Sequence, residues 1–492
     1  MKRARICLFA LILLLISILW LSAQGPDTMW TRAYGGSHDD CCYSVIESST
    51  GGYVLAGWTL SFGAGKKDVY LLKVDVNGDT AWTRTFGGPE NEEGRDVKET
   101  YDGGCIIAGW TESFGSGGSD VYLVKTDANG NEEWTTSYGL LYNEYANAVQ
   151  QTPDSGYIIA GRFNSFGYGG YDIFIVKFDQ GGNPLWAGFA GDSLWNVGNS
   201  MLQTSDGGFI IAGSTMHGTM TLNVYLVKVD AYGDTIWDAS IGGSSWELGD
   251  EVRQTLDGGF IVAGMALTAT NSSELFLAKI DSTGTLEWSR THGYGGWDEG
   301  HSVEVLSDGG YLLAGESESV TGDGFDVYLS RTFPNGFPLW AELIGGSSHD
   351  YGYSAKVTSD GGYIIAGKTK SYGNGLHDVY VIKTQPDLGI EEYPDPYPCH
   401  VKLAVSPNPF NSLIEIAIVG VSEHRSISVP EIRIFDVTGR KVRDLILYPS
   451  SLILEVTWDG RDEKGYPVPS GVYYVRFKDN NSSLTKKLLR IR

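Results

Sequence analysis

Cysteine is scarce: five in 492 residues, at positions 7, 41, 42, 105 and 399. So few, so irregularly spaced, exclude a disulfide framework and a cysteine-ligated zinc module. Positive charge is in deficit, with 36 Lys and Arg against 60 Asp and Glu and a formal net charge of −24. That balance excludes a general nucleic-acid binder, which needs a basic face. Proline is sparse at 16. Beyond residues 6–21, no stretch approaches the roughly 18 apolar residues of a membrane span. What is abundant is glycine, at 66, with 28 Tyr, 18 Phe and 14 Trp. This mixture argues against a helical bundle or coiled coil. A hydrophobic share of 42% argues against disorder.

The first residues read as an address rather than a fold. Lys2, Arg3 and Arg5 precede the apolar run 6–21, and Leu21, Ser22 and Ala23 form a small-residue cleavage site before Gln24. Residues 1–24 are therefore expected to be a secretory signal peptide, leaving no transmembrane anchor in the mature chain.

A long repeat follows. An Ala-Gly pair after an aliphatic residue recurs with its glycine at 57, 109, 161, 213, 264, 315 and 367. A tryptophan recurs at 30, 82, 134, 186, 237, 288 and 340 with the same steps of 51 or 52 residues. A third marker, Asp-Gly-Gly, begins at Asp102, Asp206, Asp257, Asp308 and Asp360; Asp154-Ser155-Gly156 and Thr50-Gly51-Gly52 are variants. In the second copy, segments 96–100, 105–109, 120–125 and 134–138 are β-branched and aromatic-rich runs between Gly-rich turns, the pattern of strands A to D. Four strands per unit of about 50 residues indicate a β-propeller. The ends fit a closed ring. The chain enters on a strand D around Trp30, and the seventh copy stops after strand C at 378–383 without its own tryptophan. The N-terminal strand can complete the last blade and remove an exposed edge.

Two resemblances follow from motifs. Lys73, Asp75, Gly78 and Trp82 open a recurring element that resembles the tryptophan-docking motif of quinoprotein propellers, departing from it by one residue between Asp and Gly. The resemblance implies that the tryptophans join neighbouring blades; it implies no cofactor. At the other end, four prolines between 386 and 398 mark a linker. Residues 399–492 carry 14 Lys and Arg against 10 Asp and Glu, and residues 1–24 carry three cations, which leaves −31 on 25–398. Alternation at 413–418, 431–435 and 472–477 predicts strands of a small sandwich. Its motifs are 405–411 (VSPNPFN), 434–442 (IFDVTGRKV), 458–462 (WDGRD) and 469–474 (PSGVYY). Together they resemble the C-terminal sorting domain of the type IX secretion system, and are similar to the immunoglobulin-like domain of flagellar hook-assembly proteins. The resemblance implies handling by outer-membrane secretion machinery and arrival in the medium or on the outer cell surface.

The expected architecture is thus all-β: signal peptide 1–24, seven-bladed β-propeller 25–384 with four-stranded blades, linker 385–400, and immunoglobulin-like β-sandwich 401–492. A monomer is expected.

Residues shared by all blades serve the fold, so function is sought where copies differ. In the loop before strand A, aligned positions hold Asp40, Glu92, Glu144, Asn196, Glu247, Asp298 and Asp350. Two residues on lies a small residue (Cys42, Gly94, Ala146, then glycines), which fits crowding near the axis and reads Cys42 as a small apolar substitute. Strand C opens on a second polar ring: Asp68, Asp120, Asp172, Asn223, Glu274, Asp326 and Asp378. Converging carboxylates suit Ca²⁺, the one cofactor candidate, with Asp40, Glu92, Glu144 and Asp350 as its ligands. The alternative is that each carboxylate accepts hydrogen bonds from its own loop. The Gly-x-Gly-x-x-Asp loop at Gly115, with relatives at Gly63, Gly167 and Gly373, reads as a flexible loop on that face; no helix follows it to bind a dinucleotide.

Five tryptophans of the mature propeller fall outside the repeat set, and three of them, Trp195, Trp246 and Trp297, share one position in consecutive copies. Each precedes a member of the first polar ring: Asn196, Glu247 and Asp298. Aromatic rings beside carboxylates suit a sugar or a protein partner, and could equally fill gaps between blades. No Gly-x-Ser-x-Gly, His-Glu-x-x-His or Cys-x-x-Cys motif occurs. The reading is an exported, non-catalytic binding platform for an extracellular glycan or protein. The alternatives are a carbohydrate-active enzyme using mouth carboxylates and a structural surface protein.

Overall fold

The computed structural model describes residues 25–139, 141–164, 170–191, 195–217, 221–243, 245–268, 272–318 and 324–387, then 402–406, 414–419, 431–436, 440–445, 454–478 and 483–491. Residues 1–24, the expected signal peptide, lie outside them, as do most of the linker and parts of the 405–411 and 434–442 motifs. The chain divides into two compact units, Met1–Asp387 and Leu388–Arg492.

The first unit is seven antiparallel four-stranded sheets, all β among the described residues. Six follow chain order; in the seventh, Thr28–Tyr34 pairs with Asp378–Thr384, so the first strand of the chain completes the last blade. Residues near Trp30 and Tyr380 are thus joined in one ladder, as ring closure requires.

Strands B and C read in sequence as unbroken apolar runs because they are covered on both faces. Tyr53–Thr59 is buried throughout, and Asp68–Val74 nearly so. Strand D, at the outer edge, alternates between exposed and half-buried positions. Hydrophobic cores lie between blades: Ile106, Val121 and Leu123 of blade 2 pack on Ile159, Phe174 and Phe178 of blade 3. The closing seam is built alike, with Val45, Leu55, Tyr70 and Leu72 packed on Ile364, Ala366, Val379 and Val381.

Each repeat tryptophan sits on the C–D turn of the next blade. A Cβ built on Gly130 would meet the Trp82 ring at 2.6 Å, and one on Gly233 would meet Trp186 at 2.5 Å. These glycines have φ near +75° and +89°, so both the turn and the ring above it require glycine. The series does not break at the seam: Trp30 covers Gly78, and Trp340 meets Gly25 at 2.9 Å.

Strand A begins four residues earlier than the sequence pattern placed it, at Glu92 in Glu92–Glu99. The register shifts between Gly94 and Asp96, and the same bulge recurs in every blade. The extra residue breaks the period-two alternation, which hid the first half of the strand. The small residue before the bulge does not face the axis. A Cβ on Gly94 would meet Ile107 and Val69 at 3.1 Å and the Gly57 carbonyl at 3.2 Å, so the crowding comes from the adjoining strand of its own blade and from the preceding blade. Cys42 fills that place in blade 1, fully buried, and burial raises its thiol pKa far above the usual range.

The second unit holds a three-stranded sheet (Lys402–Ser406, Ile414–Val419, Leu454–Trp458) and a four-stranded sheet (Lys441–Leu445, Glu431–Asp436, Gly471–Lys478, Ser483–Arg490). Trp458 is fully buried, donates to the Arg461 carbonyl at 2.7 Å and meets Tyr473 edge-on at 5.4 Å.

Candidate functional site

Pairing of Asp40 with Thr59 and of Thr59 with Asp68 puts the start of strand A, the end of B and the start of C on one edge of the blade. That edge carries the D–A and B–C loops of every blade and forms the loop face.

The first polar ring occupies the first residue of strand A and lies beneath this face. Asp40, Glu92, Asn196, Asp298 and Asp350 are almost fully buried, Glu144 is buried, and Glu247 is half-buried. Asp40, Glu92, Glu247, Asp298 and Asp350 are held by donors of their own loops. Glu92 accepts from Thr111 Oγ1 (2.7 Å), Ser113 N (3.1 Å) and Gly88 N (2.8 Å). Asp350 accepts from Thr369 Oγ1, Gly346 N and Ser371 Oγ, and Asp40 from the matching trio Thr59, Gly36 and Ser61. Glu247 accepts from Gly243 N at 3.2 Å. The donors that would have to yield to Ca²⁺ are the ones holding the loops, and Asp40, Glu92, Glu144 and Asp350 belong to four separate blades. The structure does not bring them together as a ligand set.

The second ring is enclosed by the Gly-x-Gly loops. Asp68 Oδ2 accepts from Ala64 N (3.0 Å) and Gly65 N (3.4 Å), and Asp378 Oδ2 from Asn374 N (2.8 Å) and Gly375 N (3.1 Å). Gly63, Gly115 and Gly373 have φ between about +102° and +109°, and a Cβ on any of them would strike the aspartate that the loop encircles. The loop wraps a carboxylate of the protein itself, not a bound ion. Burial raises the pKa of Asp68, Asp120 and Asp378 despite these donors. Gly167 lies outside the described residues.

Of the three clustered tryptophans, Trp246 and Trp297 are 42% and 46% exposed, while Trp195 is half-buried and meets Tyr171 edge-on at 6.3 Å. Their carbonyls accept from Met216, Leu267 and Glu318 N at 2.8 Å, so all three extend the A–B ladder identically. Tyr294, 46% exposed, stands on the same loop as Trp297. The expected polar companions Asn196 and Asp298 are under the surface, out of a surface ligand's reach. Asp298 accepts from Ser317 and from backbone N–H groups of the loop on which Trp297 stands.

The inner strands enclose a channel of about 540 Å³. The bulged residues point into it: Tyr43, Arg95, Asn147, Asn199, Asp250, His301 and Tyr353. Sequence reasoning passed over them, although the seven copies differ in this aligned column. Around blades 7, 1 and 2 the mouth is aromatic and cationic. Tyr43 lies 5.5 Å from Tyr353, Arg95 4.3 Å over Tyr43, Lys67 4.0 Å over Trp58, and Lys368 4.4 Å over Tyr351. Deeper down, Arg253 bridges Glu251 and Glu304, and Lys356 lies 2.7 Å from Glu304; these cations hold the Glu304 pKa down at about 2.

Residues 404–491 match the family model of the secretion system C-terminal sorting domain. The regulatory protein FlaEY of Caulobacter vibrioides is 25% identical over 186 residues, 33% of this chain; the match spans only a fifth of that protein. Among solved structures, PorZ of Porphyromonas gingivalis, described as an essential surface component of the type IX secretion system, is similar with a TM-score of 0.43 at 15% identity. That likeness covers 94% of this chain and 61% of PorZ. YCF48 bound to D1 peptide gives 0.45 at 10% identity, covering 74% of this chain and 98% of that one. The sorting domain marks the chain for type IX export and an outer-surface or secreted location. No described helix is long and apolar enough to cross a membrane.

Proposed function

We propose that the exported propeller is a non-catalytic binding platform, and that a neutral polysaccharide lies across its loop face on Trp246 and Trp297, with Trp195 and Tyr294 beside them. The observation that carries this reading is a contrast among tryptophans. The repeat tryptophans sit on the turns of the next blade, whereas Trp246 and Trp297 stand nearly half exposed at one position of consecutive blades. No ring contact joins Trp246 to Trp297 among the described residues. Single rings spaced in a polar setting suit the CH faces of successive sugars better than a contiguous apolar partner surface. The net charge of −31 on residues 25–398 favours an uncharged chain.

Hydrolysis by mouth carboxylates is the competing reading. It needs two carboxyl groups open to substrate, and most carboxylates of the first ring are buried and accept from loop donors. Affinity electrophoresis against neutral and anionic polysaccharides tests the proposal. Retardation by a neutral glycan is expected, weakened about tenfold by Trp246→Ala or Trp297→Ala, a loss of about 1.4 kcal/mol. Retardation that survives both substitutions, or none with any neutral glycan, overturns it.

A further inference from the structure

Blade 6 carries a side-chain cluster that the binding reading does not use. Glu299 and Glu316 face one another directly across strands A and B. Like charges in that position repel and destabilise a sheet unless a cation lies between them. His301, the bulged residue of the same strand, points into the gap, and one ligand atom from each of the three lies within 4.8 Å of the others. Among the described residues this is the one grouping of three metal-ligating side chains.

Two details go beyond acidity. The far nitrogen of the ring is already committed: His301 Nδ1 is 3.1 Å from Asp250 Oδ2 of the neighbouring blade. A carboxylate on one imidazole nitrogen sets the tautomer and turns the other nitrogen's lone pair outward, the arrangement that orients metal-binding histidines. On that outward side, Nε2 lies 2.8 Å from Glu316 Oε2, yet neither atom has a hydrogen-bond partner of acceptable geometry. Glu316 is more than nine-tenths buried, where an unaligned carboxylate oxygen is costly. The two atoms lie within ion-pair distance of each other, and with a Glu299 carboxylate oxygen they fall within the 4.8 Å that ligands of one ion can share. Asp250 and His301 line the channel, which provides the ion's entry path.

We propose that Glu299, His301 and Glu316 bind one divalent transition-metal ion, with Asp250 as the positioning residue. One imidazole with two carboxylates suits Zn²⁺ or Mn²⁺ rather than Ca²⁺, which takes oxygen ligands only. Such an ion ties strand A to strand B at the channel mouth, next to Tyr353, whose ring meets His301 at 5.2 Å.

Isothermal titration of Zn²⁺, and separately of Ca²⁺, into the chelator-treated full chain without a histidine tag tests this. One Zn²⁺ per chain is expected, with affinity lowered about tenfold or more by His301→Ala and by Glu316→Gln. His349→Ala, elsewhere on the loop face, is expected to leave it unchanged. If thermal unfolding shows His301→Ala to be misfolded, Glu299→Gln is read in its place. No saturable Zn²⁺ binding, binding indifferent to these substitutions, or tighter binding of Ca²⁺ overturns the proposal. In the first case the cluster is an Asp–His–Glu ion pair alone.

Discussion

The hydroxyl of Ser354 accepts the backbone N–H of Val45 at 3.4 Å, across 309 residues of chain. It is one step of a circuit around the channel. The residue after the bulge in one blade accepts the N–H that follows its counterpart in the next. Val97 N donates to Ser44, Val149 N to Asp96, Val252 N to Ser200, Val303 N to Glu251, and Ala355 N to Ser302. Between blades 3 and 4, Ala148 has no acceptor, and Gln150 takes over by accepting from Gln203 N at 2.9 Å. Ser354 closes the circle.

Ser354→Ala should cost about 1 kcal/mol, one net hydrogen bond with a buried N–H left over. Urea unfolding is expected to show a lower midpoint and an unchanged slope. Deleting residues 25–34 is a different perturbation, because it strips strand D and Trp30 from blade 7 and opens a strand edge to solvent. That chain is expected to aggregate or unfold at concentrations where the full chain is monomeric. A truncated chain with the original urea midpoint would show that the ring does not depend on its seam.

A repeat tryptophan and one outside the repeat set should respond oppositely. Trp340 is 4% exposed and packed between blades 6 and 7. Trp340→Ala should cost about 3–5 kcal/mol, whereas Trp246→Ala should stay within about 0.5 kcal/mol, as surface changes do. Denaturant curves of the two variants check this; equal tolerance would mean that docking on Gly25 does not hold the blades together.

Much of this was legible in the sequence. The repeat spacing fixed the blade count, and the missing seventh tryptophan pointed to Trp30 as the closing residue. What escaped reading was whatever the bulge displaced. Asp40 and Glu92 looked like loop residues because the extra residue at Tyr43 and Arg95 reverses which side chains face in. A carboxylate's partners are equally invisible in one dimension. Glu92 and Asp68 could be read as converging on the mouth or as held within their own loops, and the structure shows the second: each accepts from donors of its adjoining loops. The channel clusters were unreadable because Glu316 lies 17 residues from Glu299 and Asp250 in another blade; only the irregularity of their aligned columns gave a hint.

Blade 1 lacks an ion pair that the others have. A buried Lys or Arg on strand C meets the aspartate of the A–B turn, as in Lys125–Asp102 (2.9 Å), Lys228–Asp206 (3.0 Å) and Lys383–Asp360 (2.9 Å). In blade 1, Lys73 finds only the Thr50 hydroxyl at 3.3 Å, and burial lowers its pKa. Thr50→Asp should supply the missing carboxylate. Asp102, Asp154, Asp206, Asp257 and Asp360, the five aspartates paired with lysine, have pKa values lowered to about 2, by bonds from a turn threonine and from the lysine against the opposing effect of burial. A depressed carboxylate stabilises the fold above its unfolded pKa of about 3.9, and that contribution is lost as pH falls toward 2. Thr50→Asp is therefore expected to stabilise by up to about 1 kcal/mol at pH 7, discounted because the carboxylate is half in water. The gain should shrink steadily between about pH 4 and 2. Urea midpoints of both proteins along that range check the sign; a gain that persists at pH 2 would not be the ion pair.

The last prediction separates folding from export. The hydrophobic clusters of the propeller draw on residues 30–382, and its last blade is completed from the N-terminal side, so the sorting domain lends the ring no strand. The two domains are distinct compact units. Deleting residues 404–491 should leave the propeller's unfolding midpoint unchanged within about 0.5 kcal/mol, since no propeller core contact is lost. The same deletion removes the whole matched sorting domain. Fractionation of the producing cells is expected to find the shortened chain folded and protease-resistant but absent from the outer surface and the medium. A shortened chain that still reaches the outside would mean that the export signal resides elsewhere. One that is degraded everywhere would mean that the tail stabilises the ring after all. A folded, retained propeller is the outcome that two independent units require.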